Sequence, residues 1–292
     1  MTGLLTKLLP LGLAFIMFAL GLKLSIADFR RVVTRPTAVA LGLIAQMLLL
    51  PLTAFAIVTI FELSPEAAVG IMILAACPGG VSAGMITYLS RGDTCLSITL
   101  TAATSLLSFV SVPIVVGFSL QHFLGSTHAV DFPILQAGVG LFVVTLVPVT
   151  AGILVNQANW LTAEVSRFIG KVATGVFFLI VVTTFVTEWP SISDNFSAVG
   201  PAILLLNLVT MGTGALLGTI ARLPVEGRIA LAVECGIQNS ALGITVALSL
   251  LSVASLAVPS VIYAFLMNIS ALTLIAIRQA QAGRAATGLP SS

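Results

Sequence analysis

The 292-residue sequence predicts an all-α polytopic membrane protein of nine transmembrane helices. It reads as two inverted repeats in which two discontinuous helices cross. Three observations carry that prediction. Apolar residues make up 58% of the chain and charged residues 8%, with a mean hydropathy of +1.17; soluble domains have about 45–50% and about 25%. The few basic residues fall on one side of an alternating series of apolar runs. Two of those runs are interrupted at corresponding places. So few charges exclude a disordered chain, a nucleic-acid binder and a disulfide scaffold, whereas the net charge of +2 says nothing about partners.

A helix crossing the hydrocarbon needs about 20 mostly apolar residues. Runs of this kind lie at 5–22, 37–61, 67–90, 94–118, 133–156, 171–187, 198–220, 229–251 and 259–277. Strand-like alternation at barrel spacing is absent from the sequence. Lys7 precedes the first run, as in a signal peptide. No small-residue cleavage pattern follows Leu22, however, and a basic cluster comes next, so a retained anchor is expected. That cluster is Lys23, Arg30, Arg31 and Arg35, while the following loop has only Glu62 and Glu66. Arg91 follows the third run, and the next loop carries His122, His128 and Asp131 without Lys or Arg. Arg167 and Lys171 precede the sixth run, with Glu188 and Asp194 after it. Arg222 and Arg228 precede the eighth, and Arg278 and Arg284 lie in the tail. Basic residues collect in cytoplasmic loops. Under strict alternation only Lys7 falls on the other side. The expected topology therefore has the amino terminus outside and the carboxyl terminus in the cytoplasm, in a cell inner (plasma) membrane. Cys77, Cys95 and Cys235 offer no metal spacing or disulfide framework and are expected as small buried hydrophobes.

The third run contains Cys77-Pro78-Gly79-Gly80-Val81-Ser82 at its centre. Pro78 removes a backbone donor and clashes with the preceding turn, and the glycines add no helical preference. An ordinary kink would account for this segment alone. The eighth run contains Glu234-Cys235-Gly236-Ile237-Gln238-Asn239-Ser240. A carboxylate at the bilayer centre costs about 2.5–3.5 kcal/mol even on lenient scales. A misplaced boundary that leaves Glu234 in the interface is the bland alternative, and the deeper Gln238-Asn239 pair argues against it.

The positions of the breaks matter more than either one. Many secondary transporters are inverted repeats with discontinuous helices at equivalent places. Residues 1–132 would supply four helices of a repeat lacking its first element, and residues 133–292 a complete second copy. Both broken runs are then element four, traversed in opposite directions, with Pro78, Gly79, Gly80 and Gly236 at the breaks. Two positive helix ends would converge near the midplane and favour an anion or a water-filled path. No Lys or Arg lies deep in a run, so an organic anion would rely on those ends and on a bound cation. Ser97, Thr101, Thr104, Ser105 and Ser108 form a hydroxyl stripe at helical spacing. With Gln46 and Glu234 they supply the oxygens that a hard cation needs. Back-bonding to helix carbonyls is the bland reading of the stripe.

The stretch Cys77-Pro78-Gly79-Gly80 through Met85, Thr87-Tyr88-Leu89 and Arg91-Gly92-Asp93 resembles a signature of the bile acid:sodium symporter family. Glu234-Cys235-Gly236-Ile237-Gln238-Asn239-Ser240 resembles a second signature, and the likeness extends to Gln46 and to Asn268-Ile269-Ser270. It is similar to the nine-helix bacterial-type members. The resemblance implies a core domain holding the crossed helices and a flatter panel domain, each assembled from both repeats. It also implies a second sodium site of Gln46, Glu234, Gln238 and the carbonyls of Cys235 and Ile237. The first site would use Ser97, Thr101 and Glu234. It is incomplete, because two further family ligands are replaced by Ala83 and Gly84. Ser82, Gly84, Asn239 and Asn268 are the implied substrate residues.

The expected function is a sodium-coupled secondary transporter importing an organic anion by alternating access. The anion is either a small organic acid or a bile-acid-like molecule, with sodium ions co-transported and no cofactor. Proton coupling through Glu234 and an uncoupled facilitator remain open. An intramembrane enzyme would need a Ser–His dyad, paired aspartates or a metal cluster at depth, and the deep acid is Glu234 alone. Gly214 and Gly218 could serve internal packing or dimerisation, so oligomeric state stays open. The lipid bilayer is the expected surrounding, with no nucleic-acid partner.

Overall fold

The structure, a computed structural model, describes residues 2–25, 34, 36–125 and 134–287. Arg30, Arg31, Arg35, His128 and Asp131, used above to assign sides, lie outside the described residues, as do the side chains of Lys7 and Arg284. Eleven helical segments follow one another: α1 (Thr2–Gly21), α2 (Pro36–Ile60), α3 (Pro65–Ala76), α4 (Ala83–Leu89), α5 (Thr94–Leu124), α6 (Leu135–Gln157), α7 (Ala163–Thr187), α8 (Trp189–Ile220), α9 (Val225–Gly236), α10 (Ser240–Leu250) and α11 (Val258–Thr287). Six of them are long and apolar enough to cross a membrane: α2, α5, α6, α7, α8 and α11, the last together with the turn before it. The first expected run coincides with α1. The third and eighth each divide into two half-helices, α3/α4 and α9/α10.

Local chemistry sets the helix ends. Ser64 caps α3 by accepting from the Ala67 N–H (3.3 Å), with Pro65 in the first turn, and Asp93 caps α5 through the Leu96 N–H (3.0 Å). Thr162 caps α7 through the Val165 N–H (3.3 Å). This helix consequently starts ahead of the expected run and carries Arg167 and Lys171, read above as loop residues. Pro190 opens α8, so Asp194 is likewise helical. α5 continues through a π-turn at Leu120–Leu124 and takes His122 with it. The His122 ring packs 4.8–5.5 Å from those of Phe55, Phe118 and Phe123. Hydropathy marks the hydrocarbon, whereas backbone hydrogen bonding carries a helix on past it. Cys77 and Cys235 are buried as expected, but Cys95 is exposed in the first turn of α5.

α1 lies against α6 and α7. The α1–α6 contact is close enough that a Cβ at Gly21 would run into the Val149 carbonyl, and one at Gly152 into that of Phe18. α2, α3, α5, α8, α9 and α11 form a packed group, with α8 lying along α9, and α6 also packs on α5. Gly214 and Gly218 face Leu231 and Arg228 of α9, which assigns that small-residue pair to internal packing. The two broken helices run in opposite directions through this group. Where α4 gives way to α5, the Asp93 N–H donates to the Glu226 carbonyl at the start of α9 (2.8 Å). At the other end, the turn Ala254–Ala257 after α10 packs on α3.

Candidate functional site at the helix crossing

The two breaks meet. α3 stops at Ala76 because Pro78 offers no N–H, and Cys77 turns to extended backbone (φ −68°, ψ 150°). α9 stops at Gly236, with Ile237 extended (φ −108°, ψ 98°). Gly79 and Gln238 pair as a single antiparallel bridge. The Gly80 N–H donates to the Ile237 carbonyl (2.6 Å), and the Asn239 N–H to the Pro78 carbonyl (2.9 Å). Backbone groups freed inside a membrane protein must find partners in protein or in a water-lined cavity. Here each break satisfies part of the other. The Gly79 N–H reaches Thr104 Oγ1 (3.4 Å). Asn207 Nδ2 and the Tyr263 hydroxyl both donate to the Gly236 carbonyl (2.7 and 2.8 Å).

Glu234 lies beside the bridge and is 1% exposed. Its Oε2 accepts from Ser97 Oγ (2.8 Å) and its Oε1 from Thr101 Oγ1 (2.5 Å). The hydroxyl stripe therefore divides. Two members serve the carboxylate, while Thr104 and Ser108 bond back to their own helix. Gly79 is required at this point: a Cβ there would collide with Glu234 Oε1. Gly236 is required as well, because Met211 occupies the space a Cβ would take. Hydroxyls supply dipoles and not charge, so a carboxylate withdrawn from water still needs a cation or a proton. Among the described residues no Lys, Arg or His pairs with Glu234.

Gln46 sits in a π-turn of α2 (Ala45–Leu49), closed by the Leu50 N–H on the Ala45 carbonyl and followed by Pro51, which has no N–H to give. The turn brings the Gln46 amide to the second break. Its Nε2 donates to Gln238 Oε1 (3.2 Å), whose Nε2 donates to the Cys235 carbonyl (2.9 Å). Gln46 Oε1 is buried without a donor. The carbonyls of Cys235 and Ile237 each accept one hydrogen bond and keep a second lone pair. Oxygen atoms of Gln46, Gln238 and the Cys235 carbonyl thus lie together at the second break, and oxygens are the donors that hard cations take. On the other side of Glu234, Ala83 is fully buried and Gly84 faces Ile98, so neither adds an oxygen side chain.

A cavity of about 230 Å³ adjoins the crossing, lined from α1, α4, α7 and α11 as well as from the two breaks. Ser82, Asn239 and Asn268, three of the four expected substrate residues, line it, and Gly84 does not. Asn239 caps α10, with Oδ1 accepting from the Leu242 N–H (3.1 Å), while its buried Nδ2 has no partner. Lys23 also lines the cavity. In the sequence Lys23 marks only topology, and nothing there places Asn207 and Tyr263 at the crossing. Asn207, an amide in an apolar run, carried the same signal as Gln46.

These features define a multi-pass membrane protein in which two interrupted helices cross around a buried carboxylate. The sequence model of the sodium bile acid symporter family matches residues 10–195, and the chain belongs to this family. An uncharacterized sodium-dependent transporter, YocS, from Bacillus subtilis (strain 168) is 30% identical over 288 residues, which are 95% of this chain and 86% of the relative. A probable sodium/metabolite cotransporter of the chloroplast from Oryza sativa subsp. japonica is 28% identical over 89% of this chain and 61% of its own. The ileal sodium/bile acid cotransporter of Homo sapiens is 28% identical over 83% and 69%. Sodium-coupled transport is thus the property of the family to which the chain belongs.

Proposed function

We propose that this chain is a secondary transporter that carries a small organic anion into the cell together with sodium, by alternating access in the plasma membrane. The observation that carries the reading is Glu234, a buried carboxylate held by two hydroxyls, with no cationic side chain among the described residues to pair with. Sodium would be held by Gln46, Glu234, Gln238 and the carbonyls of Cys235 and Ile237. The substrate would occupy the neighbouring cavity against Ser82, Asn239 and Asn268. That cavity is smaller than the roughly 300–1,000 Å³ of pockets for drug-sized ligands, which favours a small acid over a steroid skeleton. The group α1, α6 and α7 would act as the panel and move against the rest. Nine membrane crossings, with the amino terminus outside, accord with the opposed directions of the broken helices. An enzyme reading gains nothing here, because His122 is engaged with phenyl rings and not with a nucleophile.

A second reading has its own support. With Ala83 and Gly84 in place of oxygen side chains, Ser97, Thr101 and Glu234 form a thin ligand set, which favours one sodium per cycle or a proton on Glu234. Proteoliposome uptake of small carboxylates under an inward sodium gradient, a proton gradient or neither separates these cases. Accumulation driven by sodium supports symport. Accumulation driven by the proton gradient alone replaces sodium with protons, and equilibration without accumulation removes coupling altogether.

A further inference from the structure

The cavity beside the crossing has one charged residue among those that line it, Lys23, and no acid. Lys23 is held there by backbone geometry. As α1 ends, the Lys23 N–H donates to the Leu20 carbonyl (2.9 Å) and the Leu24 N–H to that of Gly21 (3.0 Å). The next carbonyl, that of Leu24, accepts from Asn156 Nδ2 of α6 (2.8 Å), which fastens the turn. From this turn the Lys23 side chain runs over α7 at Gly170. A Cβ at Gly170 would lie 3.5 Å from Lys23 Cε and 3.9 Å from Nζ. Among the described residues the ammonium has no ion pair and no hydrogen-bond acceptor. It is open to water on one side, yet surrounding protein withdraws enough solvent to pull its pKa below the ordinary lysine value. Asn239 lines the same cavity, 3% exposed and with an amide Nδ2 that has no acceptor. Two residues with unanswered donors therefore line one space, one charged and one neutral, and its walls also include Met85, Phe177 and Phe178.

We infer that Lys23 is a specificity-determining residue that pairs with the carboxylate of the transported acid. The Asn239 amide donates to the same anion, and the aromatic and Met side chains take up a short apolar branch. This rests on the transport reading above and adds to it a cationic side chain as the charge selector.

The purified full-length chain in sodium chloride is melted against increasing 3-methyl-2-oxobutanoate and pantoate, and against the neutral amide of each. The inference expects stabilisation by an acid and not by its amide. Lys23→Met and Lys23→Gln should raise the half-saturating concentration about tenfold or more, the loss expected of a hydrogen bond between charged groups. Lys23→Arg keeps the charge and should stay near wild type, and melting without ligand should not change in any of the three. Wild-type half-saturation in Lys23→Met would overturn the inference and leave the transport reading standing. A wild-type protein stabilised by neither acid, in sodium or in potassium, would remove both.

Discussion

Replacing Gly79 with alanine tests the crossing where it is tightest. The backbone at Gly79 does not have positive φ, so alanine meets no conformational barrier there. The added methyl would overlap Glu234 Oε1, approach Glu234 Cδ to 2.9 Å and Thr101 Oγ1 to 3.4 Å. Two responses are open. The carboxylate can swing away, losing the bonds from Ser97 and Thr101, each worth about 1.5–3 kcal/mol as a hydrogen bond to a charged group. Alternatively the crossing can open, losing the Gly80–Ile237 and Asn239–Pro78 bonds, each worth about 0.5–1.5 kcal/mol between neutral groups. The second route is cheaper, so Gly79→Ala should loosen the crossing at a cost of about 1–3 kcal/mol. Restricting the unfolded chain acts in the opposite direction by only about 0.4–1 kcal/mol. For a chain of this size each kcal/mol moves the melting temperature by about 2–4 °C, so a fall of several degrees is expected. Opening the crossing also displaces the Ile237 and Cys235 carbonyls. Sodium half-saturation of uptake in proteoliposomes should therefore rise about tenfold, the equivalent of 1.4 kcal/mol. Gly212→Ala is the control, since a Cβ there meets nothing within 4 Å. A Gly79→Ala protein that melts like Gly212→Ala and transports like wild type would refute the reasoning.

Other substitutions probe the surroundings of the crossing. Gln46→Leu leaves Gln238 Oε1 without its donor and removes one oxygen, so the sodium dependence of uptake should shift about tenfold to higher concentration; an unshifted dependence would take Gln46 out of the site. Asn207→Leu and Tyr263→Phe each remove one of two donors to the Gly236 carbonyl and should each destabilise by about 1 kcal/mol. Because they share an acceptor, the double variant should depart from additivity by at least about 0.5 kcal/mol in a melting cycle, and strict additivity would mean that the two donors act separately. Thr101→Val should weaken sodium-dependent uptake more than Thr104→Val, since only Thr101 donates to Glu234; the reverse order would contradict the division of the hydroxyl stripe.

What the sequence made legible follows from how each residue announces itself. Pro78-Gly79-Gly80 cannot continue a helix, and Glu234 has no place in hydrocarbon without a reason, so both breaks were visible. Spacing shows a stripe of five hydroxyls, Ser97, Thr101, Thr104, Ser105 and Ser108, and only the family resemblance singles out Ser97 and Thr101 within it. The bridge itself was not legible, because nothing in Gly79 or Gln238 names its partner across the fold. Asn207 and Tyr263 do not stand out, because an isolated amide and an aromatic ring in an apolar run do not interrupt its hydropathy. Lys23 reads in the sequence as a marker of sidedness, and only the folded turn after α1 brings it to the cavity. Helix ends drifted for a related reason. Thr162 and Pro190 start α7 and α8 by capping and by proline geometry, which hydropathy does not register.

The central claim is that Glu234, held at the crossing, carries the charge of a co-transported cation. Melting the purified protein in sodium or potassium chloride at equal ionic strength, for wild type and Glu234→Gln, tests it most directly. Wild type should be stabilised by sodium over potassium, and Glu234→Gln, which keeps the shape and loses the charge, should show no difference between the two salts. Sodium-specific stabilisation retained in full by Glu234→Gln would contradict it.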